Sequence, residues 1–308
     1  MTELLHIWLI FLGGTLALLA VDLFVLHRKP HEVRLREALL ASAGWISLAL
    51  LFNLWIYFDR GGVTAVDFLT AYLVEKSLSI DNVMLFVVIF RAFQIPAESQ
   101  HRVLYYGVLG ALLLRAAFIF GGVALIEHFH PVVYIFGGFL LAAGGRLLFQ
   151  QQKLPQPDQG RVVHLAQKWF PVTQDFSGAK LFVRRAGQWL GTPLLLALIA
   201  VEISDILFAV DSVPAVLAIT RDTFIAYTSN VFAILGLRSL YFALAGILPK
   251  FRYLHQGLAA ILMLVGAKML LSDFYRIPSW ASLAAICGIL TIAAILSTAH
   301  PQTPASED

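Results

Sequence analysis

Six acidic residues interrupt stretches of the sequence that are otherwise apolar. A carboxylate at the centre of a lipid bilayer costs about 2.5–3.5 kcal/mol on insertion scales, so ionisable residues in such stretches indicate a functional site. Asp81 and Asp211 lie well inside their stretches, where a short side chain cannot reach water. Asp22 lies near the end of its stretch and fits a site or its entrance equally well. The six acids are Asp22, Glu75, Asp81, Glu202, Asp205 and Asp211.

The surroundings of these acids add further oxygen atoms. At 3.6 residues per helical turn, Glu75 shares a helix face with Asn82, and Asp205 shares one with Ser212. Pro214 lacks an amide hydrogen, which leaves the carbonyl four residues earlier without its helical partner. Carboxylate, amide, hydroxyl and carbonyl oxygens are the ligands of hard divalent cations such as Mn²⁺, Mg²⁺ and Ca²⁺. The residue types therefore favour such a cation as the ligand.

Cysteine and histidine are poorly placed to bind a metal. The chain has one cysteine, and its nine histidines lie in loops or near the ends of apolar segments. A Cys/His zinc site is therefore not predicted, whereas a carboxylate zinc site stays open.

Three basic residues accompany the acids and allow a purely structural interpretation. Arg115 and Arg238 would neutralise Asp81 and Asp211 and fix the register of the helices without binding anything. Six acids against three bases leave three carboxylates over, so complete pairing requires some of them to be protonated. For the third base, Lys76, an ion pair with a nearby carboxylate is the favoured role.

The segments that carry these residues are predicted to span a membrane. Apolar residues make up 59% of the chain and charged residues 13%, with a mean hydropathy of +0.79, whereas soluble domains contain about 25% charged residues. Lipid leaves backbone groups no water to bond, so apolar spans of this length form helices. We expect an all-α polytopic membrane helix bundle of about nine transmembrane helices. The spans are 7–26, 38–58, 68–90, 103–126, 132–149, 193–219, 223–248, 253–271 and 279–299.

The distribution of basic residues predicts the orientation. Connections on one side hold fifteen Lys and Arg residues and those on the other side hold three. Because positive loops stay in the cytoplasm, the N-terminus is predicted outside and the C-terminus inside. The first segment has no basic residue before it and is interpreted as a retained span. The predicted partners are the lipid bilayer and a divalent metal ion, without nucleic acid, and no protein partner is indicated.

The two halves of the chain align as an inverted repeat. Spans three to five form repeat A, 66–149, and spans six to eight form repeat B, 193–272, within one transmembrane domain, 1–308. Opposite insertion of two such repeats is common in secondary transporters, whose site lies near the midplane between them. The aligned polar pairs are Asp81 with Asp211, Asn82 with Ser212, Glu75 with Asp205, Arg115 with Arg238, and Arg146 with Lys268.

A connection predicted to be cytoplasmic, 150–192, separates the two repeats. Its segment "AKLFVRRAGQWLG" predicts a small β-hairpin around Ala186 and Gly187.

Four segments resemble the signature segments of a known family. "VDLFVLHRKPHEV", "EKSLSIDNV", "VEISDILFAVDSVPA" and "TSNVFAILGLRSLYFALAG" are similar to those of the TerC family, and most similar to its alkali-induced Alx-type members. The resemblance implies a place in the LysE exporter superfamily, with Mn²⁺ efflux from the cytoplasm across the bacterial inner membrane as the activity. It also implies that certain acids line the metal pathway, namely Glu75, Asp81, Glu202, Asp205 and Asp211.

The resulting hypothesis is a transporter that exports Mn²⁺ by alternating access through a carboxylate-lined site, with no permanently bound cofactor. Two alternatives stay open. The first is export of a small cationic solute such as a basic amino acid, and the second is a membrane assembly or signalling protein whose charges hold helices together. The chain has no nucleophile elbow, P-loop, HExxH or dinucleotide-binding loop, so it is not expected to be an enzyme.

Overall fold

The computed structural model describes residues 2–21, 35–149, 173, 180–185, 188–244, 253–275 and 277–299. In these residues the chain forms helices and one short hairpin. The helices are α1 (Thr2–Val21), α2 (Leu35–Arg60), α3 (Gly62–Ala92), α4 (Ala97–His128), α5 (Val132–Phe149), α6 (Pro193–Leu217), α7 (Thr223–Leu235), α8 (Leu237–Leu244), α9 (Leu254–Leu271) and α10 (Ser279–Ala299), and the strands are β1 (Phe182–Arg185) and β2 (Gln188–Gly191).

Eight of the nine predicted spans each overlap one helix of the described residues, and the helical membrane fold is confirmed. Among the described residues, α2, α4, α5, α6 and α10 are long and apolar enough to cross a membrane, and α1 and α9 contain shorter apolar stretches. The long helix α3 is different, because every 18-residue stretch of it carries at least three charged residues. The helix that carries Glu75 is therefore too rich in charged residues to resemble an ordinary lipid-facing span.

Span seven differs from the prediction because it consists of two helices. α7 ends at Leu235, and α8 starts at Leu237 after the single residue Gly236. α7 begins at a defined point, since the Asp222 side chain accepts hydrogen bonds from the backbone N–H groups of Phe224 and Ile225.

Contacts between helix ends show that α2 and α7 run in opposite directions, as do α5 and α9. Arg60, the last residue of α2, donates to Asp222 before α7 at 3.1 Å. Tyr134 in the first turn of α5 donates to Asp273, just after α9, at 2.6 Å. The C-terminal ends of α2 and α9 therefore lie beside the N-terminal ends of α7 and α5, as alternate crossings require.

The bundle is held together by aromatic packing on one side and by glycine packing on another. The Phe232 ring of α7 contacts rings of three other helices, from Phe11, Phe52 and Phe68. α5 and α9 approach so closely that a Cβ on Gly144 would lie 2.8 Å from the backbone oxygen of Ala259. α4 packs against α6, and α3 packs against α7 and α6. These last four helices surround the candidate site.

The predicted hairpin is present as β1 and β2, which pair antiparallel with Arg185 opposite Gln188. The Thr192 hydroxyl donates to the backbone oxygen of Lys180 at 2.7 Å, which ties the hairpin to the start of α6. The helical bundle therefore carries one small β element. Positions 150–172, 174–179 and 186–187 lie outside the described residues.

Candidate functional site

Four helices meet at a group of buried polar side chains that we call the Arg115 cluster. Glu75 comes from α3, Arg115 from α4, Asp205 and Ser212 from α6, and Asn230 from α7. All five side chains are buried, with Arg115 only 2% exposed. Asp205 is the central residue of the 25-residue α6, and Glu75 lies near the centre of α3. The cluster therefore lies near the midplane of the bundle.

The Arg115 guanidinium is the centre of this cluster. Its Nη1 atom donates to Glu75 Oε2 at 2.7 Å and to Ser212 Oγ at 2.6 Å. The same atom lies 3.1 Å from Oδ1 of Asn230. Nε lies 3.9 Å from Oδ2 of Asp205, which is within ion-pair distance. One cation is thus shared between two carboxylates on two helices.

Small residues on α4 bring Arg115 to this position. A Cβ on Gly107 would lie 3.0 Å from Val201 of α6, and a Cβ on Gly122 would lie 2.7 Å from Leu217. Since these glycines flank Arg115 along α4, the two helices are in close contact on both sides of it. The guanidinium therefore points across the interface at the central turns of α6.

Several polar atoms of the cluster have no hydrogen-bond partner among the described residues. They are Glu75 Oε1, Asp205 Oδ2, Arg115 Nε and Asn230 Nδ2, and the buried Asn82 Oδ1 on α3 is in the same condition. A buried unpaired polar atom costs about 1–3 kcal/mol, more if it is charged. With both acids ionised, the cluster also carries one more negative than positive charge. The cluster therefore has one positive charge too few, and its unpaired atoms need further hydrogen-bond partners.

Glu202 lies beside the cluster, one turn before Asp205 on α6. Its partly buried carboxylate is within electrostatic range of Asp205. The same carboxylate fills the space beside Gly110 of α4, where any Cβ would overlap with it. The structure thus brings three of the five predicted acids to the α4–α6 interface.

The other predicted acids lie elsewhere or outside the described part of the chain. Asp211 is partly buried on α6, and the basic residue that influences it is Arg146, in the last turn of α5. Asp81 lies in α3, but its side chain lies outside the described ones, as does the whole of Asp22. The structure does not place Asp211 in the Arg115 cluster.

The pairing in the structural interpretation needs correction. Arg115 binds Glu75 and Asp205, whereas the structural interpretation had Arg115 and Arg238 neutralise Asp81 and Asp211 across the repeat interface. The relative rotation of neighbouring helices decides this, and sequence periodicity describes rotation only within one helix. Arg238 is buried in α8 and takes part in an interaction of its own.

Lys76 makes a contact that the sequence did not predict. Its Nζ donates to the backbone oxygen of Ala233 at 3.4 Å, in the last turn of α7. Among the described side chains no carboxylate forms an ion pair with it, and the ion pair predicted from the sequence stays a prediction because the side chain of Asp81 lies outside the described ones. The final carbonyl groups of a helix lack intrahelical partners and carry partial negative charge, which a lysine can satisfy. A Cβ on Gly236 would lie 2.6 Å from this Nζ, so Lys76 lies directly against the break between α7 and α8.

Two residues of the site were not identified from the sequence. Asn230 lies in a fully buried run with Thr228 and Ser229, and three consecutive polar residues in an apolar span are a signal that could have revealed it. Arg146 was placed in span five and aligned with Lys268, but the sequence contained no sign that it influences Asp211.

The described part of the chain contains no group of three or more His, Cys, Asp or Glu side chains arranged around a metal-sized centre. In this conformation the acids of the cluster hold a guanidinium group. The chemistry that the arrangement supports is the reversible binding of a cation by oxygen atoms in a buried position.

Comparisons with known proteins agree with the membrane fold. The sequence profile described as "Integral membrane protein TerC family" matches residues 61–304. An uncharacterized membrane protein of Myxococcus xanthus is 49% identical over 300 residues, which are 96% of this chain and 94% of the relative. No solved structure matches the chain.

Other relatives carry a provisional functional name. The protein provisionally named membrane-bound redox modulator Alx is 42% identical in Salmonella typhi, over 95% of this chain and 94% of the relative. The Escherichia coli K12 protein of that name is 43% identical, over 91% and 90%. These names describe no enzyme, in agreement with the expectation from the sequence. The chain is an integral multi-pass membrane protein and belongs to the TerC family.

Proposed function

We propose that the chain is a secondary transporter that exports Mn²⁺, or a similar hard divalent cation, from the cytoplasm through the Arg115 cluster. The observation that carries the proposal concerns the buried carboxylates of Glu75 and Asp205, at the centres of two different helices: each has one oxygen without a hydrogen-bond partner among the described residues. A protein that only needed to join these helices would gain stability from an apolar contact of the same shape. Retaining two acids for one arginine favours a mobile cation as the missing partner.

The oxygen chemistry favours a hard cation. Besides the two carboxylates, the cluster offers the Ser212 hydroxyl and the Asn230 amide oxygen, both of which now accept from Arg115. Ions such as Mn²⁺, Mg²⁺ and Ca²⁺ prefer this set of ligands, whereas softer ions prefer sulfur and imidazole.

Glu202, Asp81 and Asp211 complete the proposed metal pathway. Glu202 adjoins the cluster at the α4–α6 interface. Asp211 lies further along α6, and Asp81 lies further along α3. Asp22, Asn82 and Ser212 are proposed to support the pathway.

The packing of α5 against α9 supports the inverted repeat on which alternating access depends. The sequence alignment matches Gly144 with Gly266 and, seven residues earlier, Gly137 with Ala259. A Cβ on Gly144 would lie 2.8 Å from the Ala259 oxygen, and a Cβ on Gly266 would lie 2.9 Å from the Gly137 oxygen. Each contact becomes the other when aligned residues are exchanged, as at a two-fold interface. The contacts of α4 with α6 and of α3 with α7 are related in the same way.

The break between α7 and α8 is a second feature typical of transporters. Discontinuous helices occur in membranes where backbone groups line a cavity or are satisfied by protein. Here Lys76 satisfies one carbonyl at the break. A glycine junction of this kind gives span seven a point at which its two halves can reorient.

We propose the bacterial inner membrane as the location, with the N-terminus outside and the C-terminus in the cytoplasm. The bacterial relatives and the fifteen-to-three distribution of basic residues support this orientation. Export then corresponds to entry from the side that bears the hairpin.

The redox names of the relatives fit a manganese exporter. Manganese is a redox-active metal, so a change in its cytoplasmic concentration alters the redox chemistry of the cell. The chain has one cysteine, Cys287, which is exposed on α10. An intrachain disulfide therefore cannot carry such a role.

Thermal unfolding of the purified protein in detergent tests cation binding. Mn²⁺ at one hundred times its Kd should raise the free energy of unfolding by about 2.7 kcal/mol, with smaller effects from Zn²⁺ and none from lysine. Glu75→Gln should abolish the shift. Glu98→Gln, which changes an exposed acid in the first turn of α4, should retain it. A shift of equal size in the Glu75 variant would contradict a metal role for the cluster.

One observation favours a second candidate, export of a guanidinium-containing solute. The cluster already holds the guanidinium of Arg115 with both acids, so its shape accepts that group. Free arginine in the same unfolding experiment separates the candidates. A shift with arginine and none with Mn²⁺ would favour the solute.

A further inference from the structure

The hydrogen-bond geometry of Arg115 is that of a cation that can leave the cluster. Nη1 has two hydrogens but three acceptors within hydrogen-bond distance, on Glu75, Ser212 and Asn230. Nε and Asp205 Oδ2 lie 3.9 Å apart, and neither atom has a hydrogen-bond partner among the described residues. The guanidinium therefore binds Glu75 well and Asp205 poorly. A permanent structural arginine normally uses its planar donors in paired hydrogen bonds.

The same oxygen atoms cannot hold Arg115 and a divalent cation together. The cation would need the carboxylates of Glu75 and Asp205, between which the guanidinium now lies. A divalent ion added to the occupied cluster would place three positive charges against two negative ones in a buried position. Replacing the guanidinium by the ion leaves two charges of each sign, so charge balance favours exchange over joint binding.

We propose that Arg115 is a tethered competitor of the transported cation. When the cation is absent, the guanidinium neutralises the cluster and holds α3, α4 and α6 together. When the cation binds, the guanidinium leaves the carboxylates, and its return expels the cation on the other side of the membrane. This inference rests on the proposed function and assigns the release step to one residue.

Tethering explains why the arginine lies on α4. Gly107 and Gly122 hold α4 close to α6 on both sides of Arg115, so the guanidinium stays near the acids after it leaves them. Gly110 leaves room for the carboxylate of Glu202 on the same interface. A third acid is thus present beside the exchange site, where it can attract either cation.

Mn²⁺ binding to paired variants tests the inference, by isothermal titration of the purified protein. Arg115→Gln should lower the Kd for Mn²⁺ roughly tenfold or more, within the usual range for coupling between two ligands. It should also slow the release of Mn²⁺ from proteoliposomes. Arg115→Lys, which keeps the charge, should bind Mn²⁺ with a Kd close to that of the wild type.

A second pair of variants tests the inference if Arg115→Gln alone does not fold. Glu75→Gln retains one acid and the arginine, and Glu75→Gln with Arg115→Gln retains the same acid without the arginine. The double variant should bind Mn²⁺ more tightly than Glu75→Gln alone. Equal or weaker binding would overturn the competitor role.

The outcomes separate this inference from the proposed function. If the wild type binds no divalent cation, the proposed function fails. If the wild type binds Mn²⁺ and removal of Arg115 does not tighten binding in either pair, only the inference fails, and Arg115 is a structural ion-pair partner.

Discussion

The α5–α9 interface and the Arg115 cluster are both buried contacts between helices, and they differ in what lies between the helices. At the first, glycines bring backbones into contact, with Gly144 against the carbonyl oxygen of Ala259. At the second, one arginine lies between two acids, and several polar atoms have no hydrogen-bond partner in the part of the chain that the structure describes. The α5–α9 interface is fully packed without a ligand. The Arg115 cluster can be stabilised by a ligand that pairs with its free polar atoms.

This difference predicts two kinds of mutational effect. At the glycine contact, added volume should lower the free energy of unfolding without a specific effect on cation binding. At the cluster, isosteric changes that remove charge should alter binding more than they alter stability. Changes that leave a buried charge unpaired should alter both.

The largest loss of stability is expected from Arg115→Ala. The change leaves Glu75 and Asp205 buried without their cation, and breaking a buried ion pair in this way costs about 3–5 kcal/mol. Denaturant unfolding in mild detergent measures the loss. Adding Glu75→Gln to the variant should recover part of it, and no recovery would show that the loss comes from packing of the arginine stem.

A smaller loss is expected when the glycine contact is overpacked. Gly144→Ala should cost about 1–3 kcal/mol, because the new Cβ meets the backbone oxygen of Ala259, which cannot rotate away. Gly145→Ala is the matched control, since its Cβ would have nothing within 4 Å. Equal melting temperatures for Gly144→Ala and Gly145→Ala would contradict the distinction between the α5–α9 interface and the Arg115 cluster.

Removing one acceptor of Arg115 should have an intermediate effect. Ser212→Ala deletes the oxygen that accepts from Nη1 at 2.6 Å, and a hydrogen bond to a charged group contributes about 1.5–3 kcal/mol. Because Glu75 and Asn230 still accept from the same atom, the loss should fall at the lower end of that range. A cost below that of Gly145→Ala would indicate that Ser212 does not hold the guanidinium.

The smallest effect is expected outside both interfaces, at the contact between Arg60 and Asp222. This pair is partly exposed, with the carboxylate side chain 41% accessible, and exposed ion pairs contribute about 0.2–1 kcal/mol. Arg60→Ala should therefore change the melting temperature little, and less still at high salt. Asp222→Ala should cost more, because it also removes the N-terminal cap of α7.

The sequence predicted the bundle more completely than the site. Hydropathy located the helices because span length follows from the thickness of the bilayer. Periodicity correctly placed Asp205 and Ser212 on one face, and both contact Arg115. It could not show that Glu75 is the strong partner of Arg115, because this depends on how α3 and α4 are rotated relative to each other.

Other features had weak or misleading signals in the sequence. The break at Gly236 lies in an apolar run, where hydropathy does not distinguish one helix from two. The hydrogen bond from Lys76 to the backbone oxygen of Ala233 was not predicted, because it depends on that break. Arg146 lies in α5, as the span 132–149 predicted, but its influence on Asp211 depends on how α5 packs against α6, which periodicity within one helix does not describe.

Uptake of Mn²⁺ into proteoliposomes or inside-out vesicles tests the central claim most directly. The account predicts steady accumulation with the wild type and with Glu98→Gln, and a loss of about tenfold or more with Glu75→Gln and Asp205→Asn at equal protein levels. Both variants keep the shape of the side chain, so normal amounts of folded protein are expected. Wild-type uptake by the double variant Glu75→Gln, Asp205→Asn would contradict the account, because the cation would then cross the membrane without the Arg115 cluster.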